Sequence, residues 1–184
     1  MTVGVLPSRE ALKRAEAAAR ATRPPRPVPL TVESLNPELR AALLALQTDS
    51  TAAAYVRVGY AYKAAGVLDR ALDHFDEAIQ KDGRLAAAYD GRARIWRDWH
   101  LASVGIGDAA RAVYYAPTSA AAQNTLGTLL YALGECDSAR RAFARALVLN
   151  PQAFYARTNL DYLDHQLSAR ATACEPGSTR SDAR

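Results

Sequence analysis

The residues of this chain whose types could bind a metal or act as a nucleophile are three histidines and two cysteines. His74, His100 and His165 lie far apart, and no pair has the spacing of a zinc-binding motif. Cys136 and Cys174 are also distant from each other, so they do not form a metal-binding pair. We therefore expect no metal site, no catalytic residue and no cofactor. His74 is expected at the surface of a helix, and His100 in a turn.

Two other short patterns have a chemical and a structural interpretation. Gly105-Ile106-Gly107 lacks the preceding strand and the third glycine of a dinucleotide-binding loop, so it is interpreted as a helix and turn feature. Asp161 and Asp164 are three residues apart and could pair as an acid and a base. Exposed carboxylates at this spacing usually solvate a helix face, which is the interpretation adopted here.

The net charge of +4 is concentrated in the two ends of the chain. Residues 1–28 hold six Lys or Arg against two acids, and residues 168–184 hold three against two. The 139 residues between them carry 14 basic and 15 acidic groups, so no basic stripe is predicted on the folded part and no nucleic-acid partner is expected. No apolar run approaches the ~18 residues of a membrane-spanning helix.

The chain contains a segment that repeats with a period of 34 residues, in units 52–85, 86–119 and 120–153. The third unit, Ala120 to Ala153, has two amphipathic helical patterns separated by Gly134 and closed by Pro151. Eight positions correspond across the units: Tyr55/Tyr89/Gln123, Val58/Arg92/Leu126, Gly59/Ala93/Gly127, Tyr62/Trp96/Leu130, Ala71/Gly105/Ala139, Phe75/Ala109/Phe143, Ala78/Ala112/Ala146 and Gly83/Pro117/Pro151. A hairpin this small cannot bury its own apolar face, so neighbouring units must stack.

This series resembles the tetratricopeptide repeat family, whose 34-residue frame carries an aromatic, Leu-Gly, Tyr, then Ala, Phe, Ala and Pro. Unit two departs most from the pattern: Arg92 replaces the packing leucine, His100 the turn glycine, Gly105 the helix B alanine and Ala109 the phenylalanine. We expect Trp96 and Ile106 to fill the volume, the backbone of residues 99–107 to be irregular, and unit two to be the least stable unit.

The sequence predicts an all-α fold, an α-solenoid of these repeats in a single domain. The helical pattern places helix A at about residues 52–65, 86–99 and 120–133, and helix B at about 69–82, 103–116 and 137–150. Asp137 and Ser138 are expected to cap the last of these. The flanks are predicted to be a basic, proline-rich arm (1–28) with a helix at Ser8–Ala21, an N-terminal capping helix (29–51) that Asn36 and Pro37 begin, a C-terminal capping helix (154–168) and a disordered tail (169–184).

The resemblance implies that helix A of each unit lines a concave groove that binds a partner protein or peptide. The residues of helix A that face away from the packing positions are Val56, Tyr60, Lys63, Asp90, Arg94, Arg97, Asn124, Thr128, Tyr131, Thr158, Tyr162 and His165. Some relatives clamp a chaperone's terminal carboxylate with Lys and Asn at the fifth and ninth positions of the first unit. Those positions hold Val56 and Tyr60 here, so a chaperone-tail receptor is not expected.

The function predicted is therefore a non-enzymatic adaptor or scaffold that binds a partner's extended segment or helix. Two alternatives stay open: a self-associating structural module, and an accessory subunit of an exported complex. Cys136 is expected to be a small buried hydrophobe, and a bridge to Cys174 is expected only in an exported protein. The N-terminus has no secretory signal as written, so export would require a leader before Met1.

Overall fold

A computed structural model describes residues 36–169, together with residues 10, 13, 14 and 17. Within residues 36–169 the chain forms α-helices joined by short turns, and this range contains no strand. The helices are α1 (Pro37–Thr48), α2 (Ala52–Ala64), α3 (Leu68–Lys81), α4 (Ala86–Asp98), α5 (Ala102–Tyr115), α6 (Ala120–Ala132), α7 (Cys136–Leu149) and α8 (Phe154–Ala169). The ends of α2–α8 lie within two residues of the predicted ones, whereas α1 ends at Thr48, three residues before the end of the predicted capping segment 29–51. The all-α fold class is confirmed. Residues 10, 13, 14 and 17 are helical, but the rest of the arm and the predicted tail lie outside the described residues.

Side-chain caps begin α1, α2 and α6. Asn36 Oδ1 accepts a hydrogen bond from the Leu39 N–H at 2.6 Å, with Pro37 at the first helical position, as predicted. Thr51 and Ser119 cap α2 and α6 in the same way. Capping by Asp137 and Ser138 was wrong, because α7 already begins at Cys136 and its first residues follow the turn without a side-chain cap.

The turn within each repeat is built around one residue in the left-handed conformation. Gly66, His100 and Gly134 occupy this position with φ of 75°, 59° and 80°. Each following residue donates a backbone hydrogen bond of 2.8–2.9 Å back to the preceding helix, as Leu101 does to Trp96. The predicted irregularity of residues 99–107 is therefore not found. His100 adopts the glycine geometry, at a steric cost of about 1 kcal/mol.

The chain divides after Pro117 into two compact parts, whereas the sequence predicted a single domain. The first part contains α1–α5, and the second contains α6–α8. In the first part α1 packs against α2, and Leu39 is its fully buried anchor.

Phenylalanine and glycine are matched at the centre of both parts. A methyl group built on Gly59 would lie 2.7 Å from the Phe75 ring, and one built on Gly127 would lie 2.5 Å from the Phe143 ring. Phe75 also presses on Gly91, which belongs to the next repeat. Each glycine is therefore required by the aromatic ring beside it.

In unit two the glycine and the phenylalanine are both replaced, by Ala93 and Ala109, and both alanines are fully buried. Trp96 is completely buried, with its ring edge-on to Trp99 at 5.5 Å between centroids, as expected of a residue that fills volume. Ile106 is only half-buried.

Candidate functional site

The predicted groove residues fall on two helix faces, one in each part of the chain. We call the first the α2–α4 face; its predicted members are Val56, Tyr60, Lys63, Asp90, Arg94 and Arg97. We call the second the α6–α8 face; its predicted members are Asn124, Thr128, Tyr131, Thr158, Tyr162 and His165. Carboxylates link the other members of the first set, and in the second set the Tyr131 ring meets the Tyr162 ring; Val56 lies elsewhere.

Val56 does not line the α2–α4 face. It is 8 % exposed and belongs to the hydrophobic core with Phe75 and Trp96. Burial of a valine side chain in the core stabilises the fold by about 1.5 kcal/mol or more relative to its exposure to solvent. Val56 is therefore removed from the candidate set.

Asp90 is the centre of one polar network on the α2–α4 face. Its Oδ2 accepts hydrogen bonds from the Tyr60 hydroxyl at 3.0 Å and from Arg94 Nε at 2.8 Å. The Tyr60 ring packs edge-on against Phe75 at 5.1 Å, so the core fixes the position of the hydroxyl. Burial and the neighbouring Asp90 carboxylate raise the pKa of Tyr60, which remains a donor at physiological pH. Asp90 Oδ1 is buried and has no hydrogen-bond partner among the described residues.

A second polar network lies further along the same two helices. Asp98 accepts from Lys63 Nζ at 2.8 Å and from Arg97 Nη2 at 2.7 Å. Burial alone would raise the pKa of Asp98, but the hydrogen bonds and charges of Lys63 and Arg97 lower it below its ordinary value. The carboxylates of this face thus engage all three of its cations. The face consequently offers polar groups held in place rather than an open positive site.

The α6–α8 face has a different chemistry, because its predicted members are uncharged apart from the titratable His165. Asn124 Oδ1 accepts a hydrogen bond from Asn159 Nδ2 at 2.9 Å, which joins α6 to α8. The Tyr131 and Tyr162 rings meet edge-on at 6.1 Å between centroids. Thr128 donates its hydroxyl to the carbonyl of Thr125, which leaves lone pairs of its oxygen for a ligand.

Aromatic side chains protrude from α8. Tyr155 is 75 % exposed, Phe154 is 69 % exposed and Tyr162 is 49 % exposed. Phe154 and Tyr155 touch edge-on at 5.7 Å, and the side chains of Thr158 and His165 are also exposed. This end of the α6–α8 face is the most aromatic exposed surface of the second part.

Sequence reasoning missed three residues of these faces: Asp98, Tyr155 and Asn159. Asp98 and Tyr155 occupy the thirteenth and second positions of their units, which point away from the packing side like the residues that were chosen. Their outward-facing positions in the 34-residue frame could have identified both residues from the sequence. Asn159 carried no such signal, since its role depends on Asn124 one repeat earlier.

A buried ion cluster was also missed, and it explains the departure at Arg92. Arg92 Nε and Nη2 donate to the two oxygens of Asp108 at 2.7 and 2.8 Å, and Nη1 donates to Asp76 at 2.8 Å. Asp108 is 1 % exposed and also accepts from Arg111 at 3.2 Å. Burial alone would lower the pKa of Arg92, but the two carboxylates raise it above its ordinary value. The cluster packs α3, α4 and α5 together and lies in the core rather than on a face.

The residues with metal or acid–base chemistry remain dispersed. No group of three or more His, Cys, Asp or Glu that could hold a metal occurs in the described part of the chain. His74 is half-buried rather than on the surface, because its ring stacks on Tyr62 at 5.2 Å; burial lowers its pKa. Asp164 forms an ion pair with Arg140 at 2.9 Å, so it belongs to a structural contact between α7 and α8.

Cys136 is buried at the start of α7, as predicted, but it is not a free thiol. It is disulfide-bonded. The only other cysteine of the sequence, Cys174, lies outside the described residues. None of the helices in the described range is long and apolar enough to cross a bilayer.

Solved structures of tetratricopeptide repeat domains have the same fold. The first such domain of RPAP3 (Spaghetti), bound to the HSP90 peptide SRMEEVD, matches with a TM-score of 0.61 and 23% identity over 65% of this chain and 94% of that chain. The Arabidopsis OM64 domain matches at 0.60 and 23% identity over 64% and 97%. The second human RPAP3 domain, in complex with the HSP70 peptide SGPTIEEVD, matches at 0.54 and 24% identity over 58% and 88%. No protein-family model matches the chain, and no curated protein matches it either. The chain therefore has the tetratricopeptide repeat fold, as its repeat pattern predicted.

Proposed function

We propose that this protein is a non-enzymatic interaction module that binds an extended segment of a partner protein along its helix A faces. The observation that carries the proposal is the pair of networks on the α2–α4 face, centred on Asp90 and Asp98. They hold Tyr60, Lys63 and the arginines in fixed positions while leaving these side chains partly exposed. Such pre-organised polar groups reduce the ordering cost of binding. The peptide complex of the RPAP3 domain supports this use of the fold.

The chemistry of the α2–α4 face favours recognition of a peptide backbone over recognition of a terminal carboxylate. The two carboxylates of the face already engage its three cations, and Asp90 would repel a second carboxylate. Val56 is buried, and the Tyr60 hydroxyl is a neutral donor. We therefore propose that the ligand is an extended segment bound through its amides and through contact with tyrosine rings.

Affinity capture from the source organism tests this proposal with three forms of the full chain. The face variant is Tyr60→Phe/Arg94→Gln/Arg97→Gln, which retains the packing of the Tyr60 ring on Phe75. The control variant is Arg70→Gln/Glu77→Gln, on the exposed side of α3. We expect a partner that the wild type and the control capture and the face variant loses at least about tenfold, or ~1.4 kcal/mol. Equal capture by the face variant would place binding elsewhere and contradict the proposal.

A defined peptide tests the expected ligand class. The peptide SRMEEVD binds the RPAP3 domain. In this chain the two clamp positions hold Val56 and Tyr60, so no clamp for the terminal carboxylate of that peptide is present at them. We expect no saturable binding of a fluorescent SRMEEVD peptide up to about 1 mM, which corresponds to ~−4 kcal/mol. Binding in the micromolar range would show that the paired charges of the α2–α4 face open for a carboxylate.

The disulfide at Cys136 favours a second candidate function, an accessory subunit of an exported complex. Disulfides persist in oxidising compartments and are rare where glutathione keeps thiols reduced. The test is alkylation of protein taken from the source organism under denaturing, non-reducing conditions. We expect no alkylated cysteine, whereas full alkylation of Cys136 would contradict this candidate.

A further inference from the structure

We infer that the α6–α8 face binds the proline-rich segment at residues 23–29 of a second copy of this chain. The inference rests on the proposed function, because it assigns an occupant to one of the two proposed binding faces. It also gives a physical basis for self-association, which the sequence left as an open alternative.

The face offers an aromatic surface with a defined spacing. Tyr155 and Tyr162 are exposed on α8 and lie seven residues apart, so they project from the same side of the helix. Two helical turns separate them, about 10.5 Å at 1.5 Å per residue. Phe154 extends the surface beside Tyr155, and Tyr131 supports Tyr162. Exposed aromatic rings grouped in this way are typical of interaction sites.

The proposed occupant has a matching period. Residues 23–29 read RPPRPVP, with prolines at 24, 25, 27 and 29. This composition favours the polyproline II helix, which has three residues per turn and a rise of about 3.1 Å per residue. Pro24 and Pro27 would therefore share one side, about 9 Å apart, close to the spacing of the two tyrosines. Aromatic-lined surfaces are the usual receptors for proline-rich segments in this conformation.

Charge favours the α6–α8 face over the α2–α4 face for this segment. Arg23 and Arg26 are also three residues apart and would share another side of the polyproline helix. On α8 the exposed Asp161 precedes Tyr162 and projects about 100° around the helix from it, on the flank of the aromatic surface, where one of these arginines could reach it. On the α2–α4 face, by contrast, the carboxylates of Asp90 and Asp98 already engage three cations, so they are less available to a further arginine.

This contact joins two different surfaces, so it is heterologous and does not close on itself by a twofold axis. Each copy would offer one segment and one face. Association should therefore continue beyond a dimer as the concentration rises. A mixture in which one chain lacks the segment and the other lacks the face should stop at one-to-one.

Sedimentation equilibrium of the full chain over a concentration series tests the inference. The segment variant is Pro24→Ala/Pro27→Ala with Pro7→Ala as its control, and the face variant is Tyr155→Ala/Tyr162→Ala with Tyr114→Ala as its control. Tyr114 of α5 is 79 % exposed, close to the 75 % of Tyr155. We expect the mean mass of the wild type and of both controls to rise with concentration, and each test variant to remain at 19.8 kDa. The equimolar mixture of the two test variants should reach twice that mass and no more.

A wild type that stays monomeric, a test variant that associates like the wild type, or a mixture that stays monomeric would each overturn the inference. The α2–α4 variant used for affinity capture retains the segment and the α6–α8 face, so it should associate normally. Loss of self-association and loss of partner capture are therefore separate results, and failure of this inference leaves the capture experiment decisive for the proposed function.

Discussion

The two parts of the chain use the same 34-residue frame with opposite chemistry. In the first part, Arg92 lies in the core between Asp76 and Asp108, and carboxylates engage the cations of the α2–α4 face. In the second part, the positions equivalent to Arg92 and Asp108 hold Leu126 and Ala142, and the α6–α8 face carries amides, hydroxyls and aromatic rings.

The difference shows that substitutions in this frame occur as physical pairs. Arg92 is tolerated because Asp108 accompanies it sixteen residues later, in the position where unit three has alanine. Ala93 in place of glycine is likewise accompanied by Ala109 in place of phenylalanine. Unit two is therefore a coherent alternative packing arrangement.

The largest expected effect on stability comes from removing one carboxylate of the buried ion cluster around Arg92. Asp108→Ala removes the carboxylate that accepts from two nitrogens of the buried Arg92 guanidinium, so we expect the free energy of unfolding to fall by about 3 kcal/mol. The double variant Arg92→Leu/Asp108→Ala installs the pair of the second part and should lie within about 1 kcal/mol of the wild type. Urea unfolding of the four members of this cycle measures both values. A loss in the double variant equal to the sum of the two single-variant losses would show that the two positions are not coupled.

The next effect concerns the glycines that face phenylalanine rings. Glycine to alanine in a helix interior normally stabilises a protein by about 1 kcal/mol. Gly127→Ala should do the reverse, and lower the free energy of unfolding by about 1–2 kcal/mol, because its methyl group would meet the Phe143 ring at 2.5 Å. Thermal unfolding, followed by circular dichroism, shows whether Gly127→Ala lowers or raises the stability. A stabilised variant would mean that the Phe143 ring moves aside without cost.

The repeat pattern predicted the fold well because the helices of this frame follow from local signals. Helical periodicity and the turn glycines predicted the ends of α2–α8 to within two residues, and Asn36 with Pro37 predicted the start of α1. The errors at Val56 and His74 came from packing between helices, whereas the cap expected at Asp137 and Ser138 was a misreading of a local signal. Val56 is buried because it belongs to the same core cluster as Phe75 and Trp96, and neither of these residues is close to it in the sequence.

The candidate faces were predictable by position but not in their chemistry. Position did not reveal that Val56 is buried, and the pairing of Lys63 with Asp98 requires knowledge of how α2 approaches α4. The buried partners of Arg92 were hidden for the same reason. A periodic pattern states which side of a helix a residue occupies, and only the packed structure states which atoms it meets.

The stability of the first part is expected to depend on pH through His74 of α3, whose ring packs against α2. Burial lowers the pKa of His74 below its ordinary value of 6.5, and the Tyr55 and Tyr62 rings, Asp73 and Arg70 surround it. The folded state therefore binds the proton less readily than the unfolded state, so stability should be lost as the pH falls through about 6.5. His74→Gln should flatten this loss, measured as urea midpoints between pH 8 and pH 5.

The smallest effect separates the two faces by their response to salt. Lys63→Gln removes the ion pair with Asp98, whose partners are about one-quarter exposed, so the expected loss is below about 1 kcal/mol at low ionic strength. Part of that loss should disappear in 0.5 M salt, since screening already weakens the pair in the wild type. Asn124→Ala removes a neutral hydrogen bond to Asn159, of comparable worth, and its effect should be the same at both salt concentrations. Urea unfolding of both variants at ~0.05 and ~0.5 M salt makes the comparison. If salt changed the stability loss of both variants alike, the ion pair on the α2–α4 face and the amide pair on the α6–α8 face would not differ in their electrostatic contribution to stability. The two faces would then have to select their ligands by shape alone.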